Sequence, residues 1–364
     1  VTTTTERIYN FSAGPSILPV PVLERVREEM LSLPGVGMSV LEISHRSTHF
    51  DRIFDHAVGG LRELLGLGEE HKILLLQGGA SLQFSMVPMN LLGPGQTADY
   101  VDTGSWAKKA MAEARRLGSM HVAATTRDGG YRRIPRADDF DLTPGSAYTH
   151  ITSNNTIEGT EWHWIPDVGP GPLVVDASSD ILSRPMEYGK FALVYAGAQK
   201  NLGPSGVTLV AIREDLVARR NEGLPPMLDY RVQVEGDSRY NTPNTFGIYA
   251  LGLTLDWIRG QGGLPALAEI NRRKAEKLYA ELDRTAFWNP VAEAGSRSLM
   301  NVTFTLSSPE LEKRFVDEAT TAGLDGLKGH RSVGGMRASI YNAFPEAGVD
   351  ALVEFMKEFE RRNG

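Results

Sequence analysis

Cysteine is missing altogether from this chain of 364 residues. There can be no disulfide, no thiolate metal site and no cysteine nucleophile. A reducing compartment suits such a chain, and the cytoplasm is the expected location. Long apolar runs are missing too, and none approaches the roughly 20 residues that a membrane-spanning helix needs. The opening Val1-Thr-Thr-Thr-Thr-Glu-Arg7 lacks the basic-then-apolar order of a secretory leader. The tripeptides Asn154-Asn-Thr156 and Asn301-Val-Thr303 match the glycosylation sequon, but no secretory signal gives them meaning. Positive charge is in the minority, with 38 Lys and Arg against 45 Asp and Glu and a net charge of −7. That balance disfavours a nonspecific nucleic-acid binder. An anionic ligand would have to be met by arginines gathered locally.

The length allows a large domain and a smaller one. Leu23, Val26, Met30 and Leu33 recur at helical spacing and predict a core-facing helix over residues 20–33, and a further helix is expected over 309–321. The polar residues 127–141 read as a surface connection, and residues 222–235, with Pro225-Pro226, as an excursion at the domain surface. Apolar segments at residues 191–196 and 207–212 read as buried strands, and the loop between them carries Lys200 among small residues. A lysine partly desolvated there would hold more of the neutral amine that attacks carbonyls. Most lysines between strands are solvated turn residues, so the loop alone does not decide. Asp176 ends the apolar run 172–176. A carboxylate at a strand end, opposite a lysine from a neighbouring strand, has the polarity that a pyridine nitrogen and an aldehyde need. In isolation Asp176 reads equally well as a helix cap.

Three more stretches bear on ligands. Residues 72–77 form a strand, and Gly78-Gly-Ala-Ser81 then opens a helix. Free N–H groups and the helix dipole make such a junction an anion site. It is neither a Walker loop nor G-x-G-x-x-G, so ATP and NAD are not expected. Ser44-His-Arg-Ser-Thr-His49 has poor spacing for a metal, and no metal is expected. It reads as a cationic pocket for phosphate or carboxylate, or as a solvated loop. His330, Arg331 and Arg337 bring three cations to one glycine-flanked turn and strand, which looks like an anion receptor. Trp106 follows a Gly-Ser turn at a strand end, and Thr156 lies in a polar loop after another strand. Each also reads as ordinary core or turn.

Together, AGAQKNLGPSG around Lys200, VVDASSDILSRP around Asp176, HITSNNTIEGT around Thr156 and GLKGHRSVGGMRASIYNA over residues 326–343 resemble the phosphoserine aminotransferase family. These are fold-type I, class-V enzymes dependent on pyridoxal phosphate. The similarity runs from Asn10-Phe-Ser-Ala-Gly-Pro15 to the last helix. It implies an α/β fold, with a large domain built on a mostly parallel seven-stranded sheet and a smaller α+β domain. The large domain is expected at residues 16–262 and the small one at 263–364, joined by residues 1–15. The resemblance makes Lys200 and Asp176 catalytic. It assigns Ala80, Ser81, Trp106, Thr156, Asp176, Gln199 and Lys200 to the cofactor, with Asn241 and Thr242 reaching the phosphate in a partner subunit. It assigns His45, Arg46, His330, Arg331 and Arg337 to substrate, with Arg337 on the α-carboxylate.

The implied activity is amino transfer from L-glutamate to 3-phosphohydroxypyruvate by a homodimer with shared active sites, and 4-phosphohydroxythreonine is a further candidate substrate. Two departures stand out. Ala13 replaces a serine found in many members, and Ser81 replaces an arginine found in some. The rival readings are a small-amino-acid:glyoxylate transaminase of the same class and a regulatory protein that binds pyridoxal phosphate or phosphate without turnover. A cysteine desulfurase is excluded, because no cysteine exists to carry the persulfide.

Overall fold

The computed structural model describes residues 7–219, 221–331 and 333–364. Its centre is a seven-stranded sheet: β1 (His71–Leu76), β2 (Thr97–Asp102), β3 (Ser119–Thr125), β4 (Thr149–Thr152), β5 (Leu173–Asp176), β6 (Leu193–Gly197) and β7 (Thr208–Arg213). The spatial order is β1-β7-β6-β5-β4-β2-β3. Only β7 is antiparallel to its neighbours. The sheet is mostly parallel, as expected. Strands covered on both faces have no polar side to show, so β5 and β6 read as unbroken apolar runs.

Alternation along the strands builds two cores. Val174, Leu193, Tyr195 and Val210 point to one face, against helices α3 (Gly79–Leu91) and α4 (Ser105–Leu117). Val175, Val194, Ala196 and Leu209 point to the other, against α2 (Thr48–Leu65) and α5 (Thr245–Gly260). This double cover brings the loops at the carboxyl ends of β4, β5 and β6 together, where ligands of α/β sheets bind.

A third core lies under a small antiparallel sheet of β8 (Asn289–Pro290), β9 (Asn301–Thr305) and β10 (Met336–Ser339). Helices α7 (Pro309–Thr321) and α8 (Glu346–Asn363) cover it. Tyr9–Asn10 pairs with Leu324–Asp325, which ties the start of the chain to this part. Helix α6 (Gly263–Arg284) serves two cores, with Leu264 and Leu267 in the second and Leu278 and Leu282 in the third. We propose the domain division at residues 262–263, where α5 gives way to α6.

Two local expectations need correction, and a third holds for most of its length. The core-facing helix expected over residues 20–33 is α1 (Val20–Glu29), and it stops before Leu31-Ser-Leu-Pro34, where proline disfavours helix. Leu23 is 36% exposed, and the buried positions are Val22 and Glu29, whose carboxylate accepts from Tyr249 Oη at 2.5 Å. Residues 127–141 lie mostly at the surface, as expected, though they bury Tyr131 and Ile134, and Arg127 Nη2 meets the buried Asp102 at 2.7 Å. Residues 222–235, expected as a surface excursion, include the helix Tyr230–Glu235 and bury Tyr230, whose hydroxyl donates to Gln83 at 2.6 Å.

Candidate active site

Lys200 sits in the β6–β7 hairpin, and its backbone is clamped from two sides. Ser16 donates N–H to Gln199 O at 2.9 Å and Oγ–H to Lys200 O at 2.6 Å. Asn342 donates N–H to Asn201 Oδ1 at 3.0 Å. The Lys200 side chain runs toward the loop after β4. Its Nζ donates to Thr156 Oγ1 at 2.8 Å and lies 5.9 Å from the centre of the Trp106 ring. Burial draws the amine down to about 8; Arg337 adds to this, while Asp176 and Asp180 oppose it. A lysine in that state supplies neutral amine near neutral pH.

Asp176 closes β5 one strand away and is buried. Its Oδ1 accepts from Ser178 N–H at 3.0 Å. Burial pushes its carboxyl up, while the Ser178 bonds and the Lys200 charge pull the other way. Nearby, burial and the Glu161 charge push Asp180 up, despite Arg184 and a 2.5 Å bond from Ser153 Oγ.

The opposite wall comes from two helix starts. Gly78 precedes α3 with φ +93°, and Gly79 follows with φ +65°. A Cβ on Gly78 would come within 2.5 Å of the Leu82 side chain. No side chain caps α3, so its first N–H groups face the cavity free. Trp106 stands in the first turn of α4. Buried Glu158 caps that turn, its Oε1 accepting from Ser105 N–H at 2.7 Å and from Ser105 Oγ at 2.8 Å.

A cavity of about 110 Å³ results, lined by Ala80, Ser81, Trp106, Thr156, Asp176, Gln199 and Lys200, with Thr152, Asn154, Ser178 and Ser179 behind them. Size does not pick it out, since a groove of about 470 Å³ lies elsewhere by Arg133 and Trp164. Seven of the residues singled out from sequence are therefore brought together.

Others sit at the margin. Arg337 is in β10, close enough to influence Lys200, and its buried Nε has no hydrogen-bond partner. His330 is held below its usual value by burial, with Arg337, Lys109 and Arg331 adding to the effect. Asn241 and Thr242 lie outside the cavity of their own chain, beside Gln77: Asn241 Nδ2 donates to Gln77 Oε1 at 3.2 Å, and Gln77 Nε2 to Thr242 O at 2.9 Å. His45 and exposed Arg46 lie in the loop before α2 and do not line this cavity. Sequence reasoning missed Glu158, Asp180, Lys109 and Asn154. Glu158 and Asn154 flank Thr156 by two residues, yet nothing local to a sequence shows that a loop carboxylate caps a distant helix.

The residues fit pyridoxal phosphate. An amine of lowered pKa, a buried carboxylate and an uncapped helix start surround one cavity. Buried Thr152 Oγ1 and Trp106 Nε1 also lack partners there. The family model for class-V aminotransferases matches residues 8–352. A phosphoserine aminotransferase of Desulfosudis oleivorans is 54% identical, over 99% of this chain and 99% of its own. The solved phosphoserine aminotransferase of Bacillus circulans subsp. alkalophilus is 50% identical at a TM-score of 0.97, covering 99% of this chain and 100% of its own. A phosphoserine aminotransferase of Trichomonas vaginalis, solved with pyridoxal phosphate bound, is 40% identical at a TM-score of 0.91, covering 96% and 100%. The chain belongs to the class-V aminotransferase family and is a transaminase dependent on pyridoxal phosphate.

Proposed function

We propose that the chain transfers the amino group of L-glutamate to 3-phosphohydroxypyruvate, as a phosphoserine:2-oxoglutarate aminotransferase of serine biosynthesis, and that Lys200 and Asp176 carry the chemistry. The observation behind this is the placement of Lys200 Nζ, against Thr156 and beneath Trp106, with Asp176 at the adjoining strand end. Pyridoxal phosphate, when bound, supplies the electron sink for the pair left as the substrate Cα–H bond breaks.

Each residue then has a task. Lys200 is the covalent anchor, and once released its Nζ takes the proton from substrate Cα and returns it on the other side of the transfer. Asp176 holds a proton at the pyridine nitrogen. Ala80 and Ser81 offer donors at the start of α3 to the cofactor phosphate. Trp106, Thr156 and Gln199, which line the cavity, would hold the cofactor ring. Arg337 grips the α-carboxylate and so aims the Cα–H bond at Lys200. His330 and Arg331 meet the side-chain carboxylate or phosphate.

The remaining residues act in a homodimer. Asn241 and Thr242 of the partner subunit reach the cofactor phosphate, and His45 and Arg46 of the partner subunit complete the anion pocket. Their position off their own chain's cavity supports that reading. Ser81 offers one hydroxyl where a guanidinium would add charge, so the pocket leans on these remaining cations. We place the reaction in the cytoplasm, and 4-phosphohydroxythreonine fits the same pocket. Among the described residues no helix is long and apolar enough to cross a membrane.

The cations beside Arg337 speak against a glyoxylate enzyme, whose second substrate carries no side-chain anion. The test is the visible absorption of the loaded protein. L-glutamate should convert the band, and 3-phosphohydroxypyruvate but not glyoxylate should restore it. A band that ignores glutamate refutes the substrate assignment. Restoration by glyoxylate favours the rival enzyme, and no conversion by any amino donor favours a regulatory protein.

A further inference from the structure

The two N-x-T tripeptides noted in the sequence are both buried, and they meet. Asn154 Nδ2 donates to Asn301 Oδ1 at 2.7 Å. Asn301 Nδ2 donates to Ser339 Oγ at 2.9 Å and to Tyr341 Oη at 3.1 Å. Thr303 Oγ1 donates to Glu158 O at 3.0 Å. In β9 and β10, Asn301 lies opposite Ser339 and Thr303 opposite Arg337. Opposed residues of an antiparallel pair share a face. One face of the small sheet therefore carries Asn301, Thr303, Arg337 and Ser339, and it docks on the loop that holds Thr156 against Lys200.

Arg337 depends on this docking. Its guanidinium makes no hydrogen bond among the described residues, and its Nε is buried without a partner. Among the described residues no hydrogen bond fixes its head group, so the strand beneath it sets where it stands, with Tyr341 and the Glu158 carboxylate nearby. Among the described residues, Asn301 is the one side chain that bonds to the cavity loop through Asn154 and to Arg337's strand through Ser339.

We propose that Asn301 is a positioning residue for amino-acid recognition: it ties β10 to the 154–158 loop and so sets Arg337 relative to Lys200. The inference rests on the reading of Arg337 as the α-carboxylate receptor. Thr303 supports the same register through the Glu158 carbonyl.

The test uses the loaded enzyme and 2-methylglutamate, which has no Cα–H and cannot complete transfer, with affinity read by calorimetry. Asn301→Ala should weaken its binding about tenfold, while affinity for pyridoxal phosphate stays within about twofold. Thr303→Val, a milder change of similar shape, should weaken it about threefold. The deciding readout is a double-mutant cycle: if Asn301 acts through Arg337, adding Asn301→Ala to Arg337→Ala should cost nothing further. Losses that multiply would show an unrelated structural effect and overturn the inference. So would a parallel loss of cofactor affinity, or unchanged ligand affinity in both Asn301→Ala and Thr303→Val. If Asn301→Ala does not fold, Thr303→Val and its own cycle with Arg337→Ala decide. If Arg337→Ala alone leaves affinity unchanged, the reading of Arg337 fails and the inference falls with it. If Arg337→Ala weakens binding and the other two do not, the inference fails alone.

Discussion

Lys200 Nζ donates to Thr156 Oγ1 at 2.8 Å, a bond that joins the β6–β7 hairpin to the loop after β4. The hydroxyl steers the amine but adds no charge. The charges that set the lysine's titration come from elsewhere: Arg337 lowers it, while Asp176 and Asp180 raise it against the larger effect of burial.

The pH dependence follows with a definite sign. In the cofactor-free protein Lys200 titrates near 8, so neutral amine grows as pH rises through that value. The rate of pyridoxal phosphate attachment should rise with it and then level off. Asp176→Asn removes a charge that favours the ammonium, so the midpoint should move down by about one unit. The growth rate of the cofactor band against pH measures this. A midpoint that stays or rises would show that Asp176 does not act on Lys200 through its charge. Turnover in the same variant should fall at least about 100-fold, because the pyridine proton loses its holder.

The fold was legible where periodicity and burial agree. Residues 191–196 and 207–212 became β6 and β7 with a shift of one or two residues, and helix α7 began and ended as read, at 309 and 321. The cofactor side of the site was legible because strand ends converge on one cavity in a parallel sheet. The pairing of Asn154 with Asn301 was not, since no local pattern links residues 147 positions apart. Glu158 hid for the same reason. Residues 127–141 looked like surface because they are polar, yet Arg127 and Tyr131 are drawn to buried Asp102.

Arg337→Ala tests the α-carboxylate assignment. Both substrates present that carboxylate, so both should bind worse. Losing one charge-assisted, partly buried contact predicts a rise in KM of about 30-fold or more for L-glutamate and for 3-phosphohydroxypyruvate alike. Steady-state kinetics with each substrate varied in turn gives the answer. A rise for only one of them would move Arg337 to the side-chain end of the pocket.

Lys274 offers a test of stability away from the chemistry. It is fully buried on α6, and its Nζ donates to the carbonyls of Ile340, Tyr341 and Phe344 at 2.9, 2.7 and 3.1 Å. Burial draws the amine down to about 7, while the Glu346 charge opposes it. Lys274→Met keeps the length and strips the donors, leaving three carbonyls short at the turn after β10. The expected cost is about 3 kcal/mol, read by denaturant unfolding. A cost below about 0.5 kcal/mol would mean that those carbonyls find other donors.

Gly104 tests how Trp106 is held. The residue has φ +155°, and a Cβ there would lie 2.5 Å from the Glu158 carboxyl group. That carboxyl group caps the first turn of α4, the turn that carries Trp106. Gly104→Ala should push Glu158 off Ser105, strain the backbone by about 2 kcal/mol and loosen the tryptophan over the cavity. Affinity for pyridoxal phosphate should fall about tenfold, measured by titrating the cofactor-free protein. Glu158→Gln keeps an acceptor for Ser105 and should stay close to the parent. Glu158→Ala removes the acceptor and should match Gly104→Ala, and the two together should be no worse than either, because the smaller side chain gives the new methyl its space. If Gly104→Ala binds the cofactor normally, the Glu158 cap is not what keeps Trp106 in place, and the packing of Phe84 against its ring at 6.4 Å must suffice.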